Sequence, residues 1–208
     1  MKLSYAIPVK DELLEITKLL NFLIKNKDDE DEIVILFDSE NGSKGVEDYL
    51  RAKSVNAPKF AWHSYKFDGH FANMKNHLTS LCSGDWIVQL DADEMVGEQF
   101  IPWVKGSIKA NPEVHAFYVP RINTVKGLTD EHIQKWGWNV NEKGWVNWPD
   151  YQTRIIQNNS KIKWQNKVHE QIVGISTKGA LPMEEEWCLY HPKTIGRQET
   201  QNNFYNTL

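Results

Sequence analysis

Apolar residues in the first half of the chain follow two periods in turn. Residues 3–7 read as a short strand that Pro8 stops, because proline has no N–H to offer a ladder. Leu13, Ile16, Leu20 and Leu23 then recur at helical spacing, with Asp11 as the expected N-cap. Asp11, Glu12 and Glu15 sit at the start of that helix and Lys25 and Lys27 at its end, which suits the helix dipole. Ile33-Val34-Ile35-Leu36-Phe37 is apolar without alternation, the pattern of a strand covered on both faces. Residues 59–65 predict a third strand. Phe71, Met74, Leu78 and Leu81 mark a second helix face that Gly84 terminates, and residues 86–90 form another buried strand. Between the second strand and the second helix the pattern thus leaves one further segment of strand or helix. This rhythm predicts an α/β fold, an open and mostly parallel sheet with helices on both faces.

After about residue 95 the pattern loosens, with strand-like pieces at 116–120, 152–156 and 187–190. No repeat or low-complexity linker divides the chain, so one domain is expected over residues 1–208. Its regular half would run to about 95 and its irregular half from about 96, and the stop at Leu208 fits a domain excised from something longer. A composition of 40% hydrophobic and 25% charged residues is ordinary for a globular chain. With a net charge of -4 and no run of Lys or Arg, there is no footprint for nucleic acid. No segment approaches the roughly 20 apolar residues of a membrane span, and the N-terminal apolar stretch is too short for a signal peptide. Cys82 and Cys188 are expected as buried thiols in a reducing compartment, so a soluble, cytoplasmic protein is expected. Five of the nine Trp (Trp136, Trp138, Trp145, Trp148 and Trp164) fall in one short stretch.

Ligands of parallel α/β sheets bind beyond the carboxyl ends of the strands, and two buried strands run into carboxylates there. One runs into Asp38, the other into Asp91-Ala92-Asp93-Glu94. If the backbone stays extended, Asp91 and Asp93 face the same side, and two unpaired charges so close ask for a cation. Oxygen ligands favour Mg²⁺ or Mn²⁺, which bridge one or two carboxylates to substrate phosphates.

Several segments occur in the order of a known family: Ala6-Ile7-Pro8, Asp38, Phe71-Ala72-Asn73-Met74-Lys75-Asn76, and Gly84-Asp85-Trp86 leading into Leu90-Asp91-Ala92-Asp93-Glu94. Asp150-Tyr151-Gln152-Thr153-Arg154-Ile155, Val168-His169-Glu170 and Tyr190-His191-Pro192-Lys193 follow. Over nearly its whole length the chain resembles the family 2 glycosyltransferases of GT-A fold, Rossmann-like proteins with a less regular acceptor-side lobe. The resemblance implies a metal-dependent hexosyl- or deoxyhexosyl-transferase that moves a sugar from a nucleoside-diphosphate donor, UDP favoured, to a hydroxyl of a glycan or glycoconjugate. It implies that Pro8 and Val9 lie along the base and that Asp38 accepts a hydrogen bond from the uracil or ribose. Asp91, with Ala92 beside it, would sit on the ribose or metal side, Asp93 would bind Mn²⁺ or Mg²⁺, and His169 would be a further metal ligand. Lys75 and Asn76 stand at the diphosphate-side motif, where the family's Arg is replaced by Lys without its forked geometry. Asp150 occupies the position of the general base, with Glu170 and Glu94 in reserve; a single base and no nucleophilic carboxylate imply inversion.

The tryptophans can stack on sugar rings or build the core of the second lobe, and core is expected for most, cleft for one or two. Gly127, Gly137 and Gly144 predict a bent segment that closes over substrate, and His191, Lys193 and Arg197 can fold over the diphosphate or belong to a solvated helix. A zinc-protease reading fails because no second His follows His169-Glu170 at the required spacing. A sugar-phosphate nucleotidyltransferase would open with a Gly-rich loop where Pro8-Val9-Lys10-Asp11 stands. A non-catalytic nucleotide- or glycan-binding module remains the alternative from a different class.

Overall fold

The apolar run at 33–37 is covered on both sides, as its lack of alternation requires. The computed structural model describes residues 1–205, so Leu208 and the end of the expected domain lie outside the described residues. The elements are β1 (Leu3–Val9), α1 (Leu13–Asn26), β2 (Glu32–Asp38), α2 (Lys44–Ser54), β3 (Phe60–Tyr65), α3 (Phe71–Ser80) and β4 (Trp86–Gln89). The second half adds α4 (Phe100–Ala110), β5 (Ala116–Val119), β6 (Arg121–Lys126), α5 (Asp130–Trp136), β7 (Gln152–Gln157), β8 (Lys163–Gln165), β9 (Gln171–Val173), β10 (Lys178–Ala180), β11 (Leu189–Thr194) and α6 (Ile195–Tyr205).

Seven strands form the central sheet in the order β10-β5-β7-β4-β1-β2-β3. Alternate residues divide between two cores. Tyr5 and Ile7 of β1 and Ile33, Ile35 and Phe37 of β2 pack with α1, α2 and α4 on one face. Ala6, Val34 and Leu36 pack with Met74 and Leu78 of α3 and with Ile162 on the other. The sheet is mostly parallel, with β7 running antiparallel to both β4 and β5. The carboxyl ends of β1, β2, β4 and β5 therefore share one edge with the amino end of β7, and that edge carries the chemistry.

Local expectations are corrected in four places. Strand β1 runs through Pro8 to Val9. Leu90 N donates to Ala6 O (3.1 Å), so even-numbered residues of β1 face β4; at Pro8 that neighbour has already ended, and the missing N–H leaves no ladder bond unmade. Glu12, not Asp11, caps α1, because its carboxylate loops back to the N–H groups of Lys10 (2.8 Å) and Asp11 (3.1 Å) while its carbonyl takes the first helical bond. Gly84 does not end α3, which stops at Ser80 with Leu81 as its cap. A Cβ at Gly84 would lie 2.8 Å from Ser4 N and 2.9 Å from Leu3 C, so this glycine permits a close backbone approach. Trp187 ends a single 3-10 turn, and the last strand starts after it at Leu189.

The start of the sheet is tied by one carboxylate. Glu32 accepts from Lys2 Nζ (2.6 Å), Ser4 Oγ (2.6 Å), Ser83 N (2.6 Å) and Ser83 Oγ (2.7 Å), joining β1, β2 and the approach to β4. Burial alone would raise its pKa, but Lys2 and the serine donors hold it down at about 2. A depressed folded pKa stabilises above the unfolded value, here the usual 4.5, and that stabilisation fades as pH falls toward about 2. Glu32→Gln should therefore lose about 2 kcal/mol at pH 7, the range for charge-assisted hydrogen bonds. Denaturant titrations of both proteins at pH 7 and pH 3 should show the gap narrowing at the lower pH; a gap independent of pH would refute the assignment.

Candidate active site

A cavity of about 1040 Å³ opens along the shared strand edge. Pro8, Val9, Asp38, Lys75, Asp91, Ala92, Asp93, Asp150, His169 and Glu170 all line it. Asn76 is not among the lining residues. Its amide donates to Trp164 O (2.9 Å) and accepts from Trp164 N (2.9 Å), and so fastens the β8–β9 hairpin to α3. Lys75 completes that attachment through Glu170 (3.1 Å), with its ammonium 4.5 Å from the centre of the Trp164 ring. Asp38 is held in its own turn by Glu40 N (3.0 Å), Asn41 N (3.2 Å) and Asn41 Nδ2 (3.0 Å).

The two aspartates after β4 do not lie on an extended backbone. Glu94 N bonds to Asp91 O (2.9 Å), closing a turn, and each aspartate finds its own cation. Asp91 meets Arg154 Nη2 at 2.5 Å; burial would raise its pKa, but Arg154 and Lys75 hold it low. Asp93 lies 3.4 Å from His191 Nε2 and 3.9 Å from Arg197 Nη2, and against the effect of burial His191, Lys193 and Arg197 keep it well below the usual carboxylate range. The expectation of two unpaired charges that demand a cation is thereby corrected.

Glu94 organises the site from beneath. It is fully buried and bonds Arg154 (Nε 3.1 Å, Nη2 2.7 Å), Arg121 Nη1 (3.1 Å) and Asp91 N (3.0 Å). Buried and already holding these donors, it cannot serve as the reserve base. Arg121 reaches on to Asp150, where four donors converge: its Nε (2.9 Å) and Nη2 (2.6 Å), Asn123 Nδ2 (2.8 Å) and Gln152 Nε2 (2.7 Å). Burial would raise the Asp150 pKa, but Arg121, Asn123 and Gln152 together lower it. Three of those donors crowd Oδ2 and only Gln152 uses Oδ1, which leaves Oδ1 with accepting capacity toward a hydroxyl.

The histidine at Asp93 is His191, which sequence reasoning placed only in the tail. Strand β11 pairs in parallel with β6, opposing His191 to Asn123. Asn123 donates to the Asp150 carboxylate, so its carbonyl oxygen faces His191 Nδ1 (2.7 Å) and that nitrogen carries the proton. His191 Nε2 is left pointing at Asp93 (3.4 Å). A second ring nitrogen oriented by a hydrogen bond is the usual arrangement of a metal-ligating histidine. Among the described residues no group of three His, Cys, Asp or Glu is placed to hold a metal. Asp93 and His191 fit an ion that takes its remaining ligands from substrate phosphates. His169, with a left-handed backbone (φ 53°), lines the cavity from the β8–β9 connection.

The tryptophan stretch divides. Trp164 is buried and borders the cavity, and Trp138 borders it while half-buried. Trp136 packs on Trp138 (4.6 Å between ring centres) and Trp145 on Trp148 (4.8 Å), so these are half-buried surface pairs and not the core of a lobe. Gly127, Gly137 and Gly144 all take positive φ (87°, 64° and 75°), as a bent segment requires.

No described helix is long and apolar enough to cross a membrane. A search of curated proteins finds no significant match. Among solved structures, S. aureus TarS (residues 1–349) superposes with a TM-score of 0.66 at 13% identity, covering 92% of this chain and 60% of its own. The chain thus spans about three-fifths of that structure's length. TarS in complex with UDP-GlcNAc gives 0.63 at 15% identity, covering 93% of this chain and 59% of its own. A mannosyltransferase from Pyrobaculum calidifontis in complex with GDP-Man and Mn²⁺ gives 0.51 at 17%, covering 57% of this chain and 35% of its own. These likenesses place the fold in the GT-A class. The glycosyl transferase family 2 profile matches residues 4–173, and with the sheet and cavity described the chain belongs to that family.

Proposed function

We propose that the chain transfers a hexosyl or deoxyhexosyl unit from a nucleoside-diphosphate sugar, UDP-linked by preference, to a hydroxyl of a glycan or glycoconjugate. The observation that carries this reading is the meeting, on one cavity, of Pro8, Val9, Asp38 and the Asp91–Asp93 turn with Asp150. The complexes of neighbouring folds with UDP-GlcNAc and GDP-Man support a donor of this class.

Pro8 and Val9 offer an apolar wall to the base, and Asp38 an acceptor to its polar edge. Asp93 and His191 would hold Mn²⁺ or Mg²⁺, which when bound supplies positive charge beside the diphosphate. The acceptor hydroxyl oxygen attacks the anomeric carbon and gives its proton to Asp150 Oδ1. The bond from that carbon to the diphosphate oxygen breaks, with its electron pair leaving on the diphosphate. Attack opposite the leaving group inverts the configuration. Arg121 keeps Asp150 ionised and aimed, and Glu94 and Arg154 hold the turn across from it.

The binding-module alternative draws on one observation, the four donors on Asp150, which weaken it as a base. Turnover separates the two readings. Asp150→Asn should lower transfer by about 10²–10⁴-fold while the Kd for UDP stays within a few-fold; unchanged donor turnover would favour binding alone. Asp93→Ala should abolish the metal dependence of UDP binding in calorimetry, and equal Mn²⁺ enhancement in mutant and wild type would remove Asp93 from the site.

The pH profile gives a third check. Because the Asp150 carboxyl is held low, the acid limb of kcat/KM should lie below the ordinary carboxylate value of 3.8. Removing a neighbouring cation raises a carboxylate pKa, so Arg121→Gln should move that limb to higher pH. A limb that stays in place in a folded variant would disconnect Arg121 from the base.

A further inference from the structure

Three segments that lie far apart in the sequence meet at the side chain of Asn123. Strand β6 carries it to the cavity wall, where it is half-buried. Its amide nitrogen donates to Asp150 Oδ2 (2.8 Å) and, at longer range, to Val146 O (3.5 Å). Its amide oxygen lies 2.7 Å from His191 Nδ1 on β11. Its backbone carbonyl takes the N–H of Val146 (2.9 Å), which ties the loop before Asp150 to the same position. The other donors to Asp150 lead elsewhere: Arg121 continues to Glu94 (3.1 Å), and Gln152 reaches only Oδ1 (2.7 Å).

The amide can sit only one way round. Turned over, it would set its oxygen against two acceptors, the Asp150 carboxylate and the Val146 carbonyl. With the nitrogen on that side, the oxygen requires a donor from His191, and the ring proton stays on Nδ1. In the neutral ring Nε2 then keeps its lone pair and faces Asp93 (3.4 Å). A histidine that holds a cation depends on the partner of its other nitrogen, and losing that partner typically costs about 10–100-fold in metal affinity.

We propose that Asn123 is a positioning residue for both halves of the reaction: it fixes His191 as a ligand for the divalent cation and aims the Asp150 carboxylate at the acceptor hydroxyl. Resting on the transfer reading above, this role makes cation binding and base alignment depend on one amide. Asn123 is one of the three donors on Asp150 Oδ2, and their crowding there is what leaves Oδ1 to the acceptor. With a cation on Nε2, the Nδ1 proton bonds more strongly to the Asn123 oxygen. The polarised amide then donates more strongly to Asp150, as in other chains of hydrogen bonds. A filled donor site and an aimed base therefore arrive together.

Two substitutions separate the halves. Asn123→Asp keeps an acceptor for His191 Nδ1 but removes the donor to Asp150, whereas Asn123→Leu, of similar size, removes both. Mn²⁺ affinity beside UDP is read from the electron paramagnetic resonance of free Mn²⁺, and circular dichroism reports the fold. Turnover is read as UDP released from whichever of UDP-GlcNAc, UDP-glucose and UDP-galactose the wild type uses. Asn123→Leu should bind Mn²⁺ about 10–100-fold more weakly, and Asn123→Asp within a few-fold of wild type. At saturating Mn²⁺ both should lower kcat by about tenfold or more with little change in donor KM. Unchanged Mn²⁺ binding in Asn123→Leu, or weakened Mn²⁺ binding or an unchanged kcat in Asn123→Asp, overturns the proposal while the transfer reading stands. The two Asn123→Asp results decide it even where Asn123→Leu does not fold. If wild type binds no Mn²⁺ beside UDP, or releases UDP from none of the three donors, the transfer reading falls and this proposal with it.

Discussion

The buried carboxylate of Glu94 is the constraint on which the site depends. It sits at the end of the turn after β4, and it holds Arg154 of β7 and Arg121 of β6 at once. Those guanidinium groups extend outward to Asp91 and Asp150, so the donor-side turn and the candidate base are two ends of one ionic chain. Three carboxylates share two guanidinium groups, which leaves one negative charge for the outer pair, Asp91 and Asp150, on the cavity wall. Burying such a network is costly unless each group finds its partners. Here they are found, and the gain is position: two acids from distant parts of the sequence are fixed relative to each other by planar guanidinium partners.

The sheet determines where that chain can form. Strands β1, β2, β4 and β5 end at one edge, and β7 begins there because it runs the other way. A residue placed just before β7 thus arrives beside residues placed just after β4. The β11–β6 pair adds a second layer at the same edge, where Asn123 bridges His191 and Asp150. Through that one amide, the orientation of the group beside Asp93 is linked to the orientation of the base.

Much of this was legible in the sequence. The apolar runs announced β2 and β4, and the acids after them marked the edge of the sheet. The resemblance singled out Asp150, and Asp38, Asp91, Asp93 and Asp150 all line the cavity. Other placements depend on pairings across the fold that a local motif does not show. Asn76 stands in a motif beside the site, but its amide matches the backbone of a hairpin 88 residues away. His191 was read only as part of the basic tail, and the parallel pairing of β11 with β6 is what brings it to Asp93. Arg121 carried no local signal: an arginine at the start of a strand reads as solvent-exposed until the buried acid it answers is known.

By itself, the sequence determined the elements, their two-sided burial and the identity of the chemical groups, because hydrophobic period and turn residues act over a few positions. The tertiary structure decided which charges pair and which histidine meets Asp93. Those outcomes depend on distances of a few ångströms between residues tens of positions apart, and only strand order and direction set them.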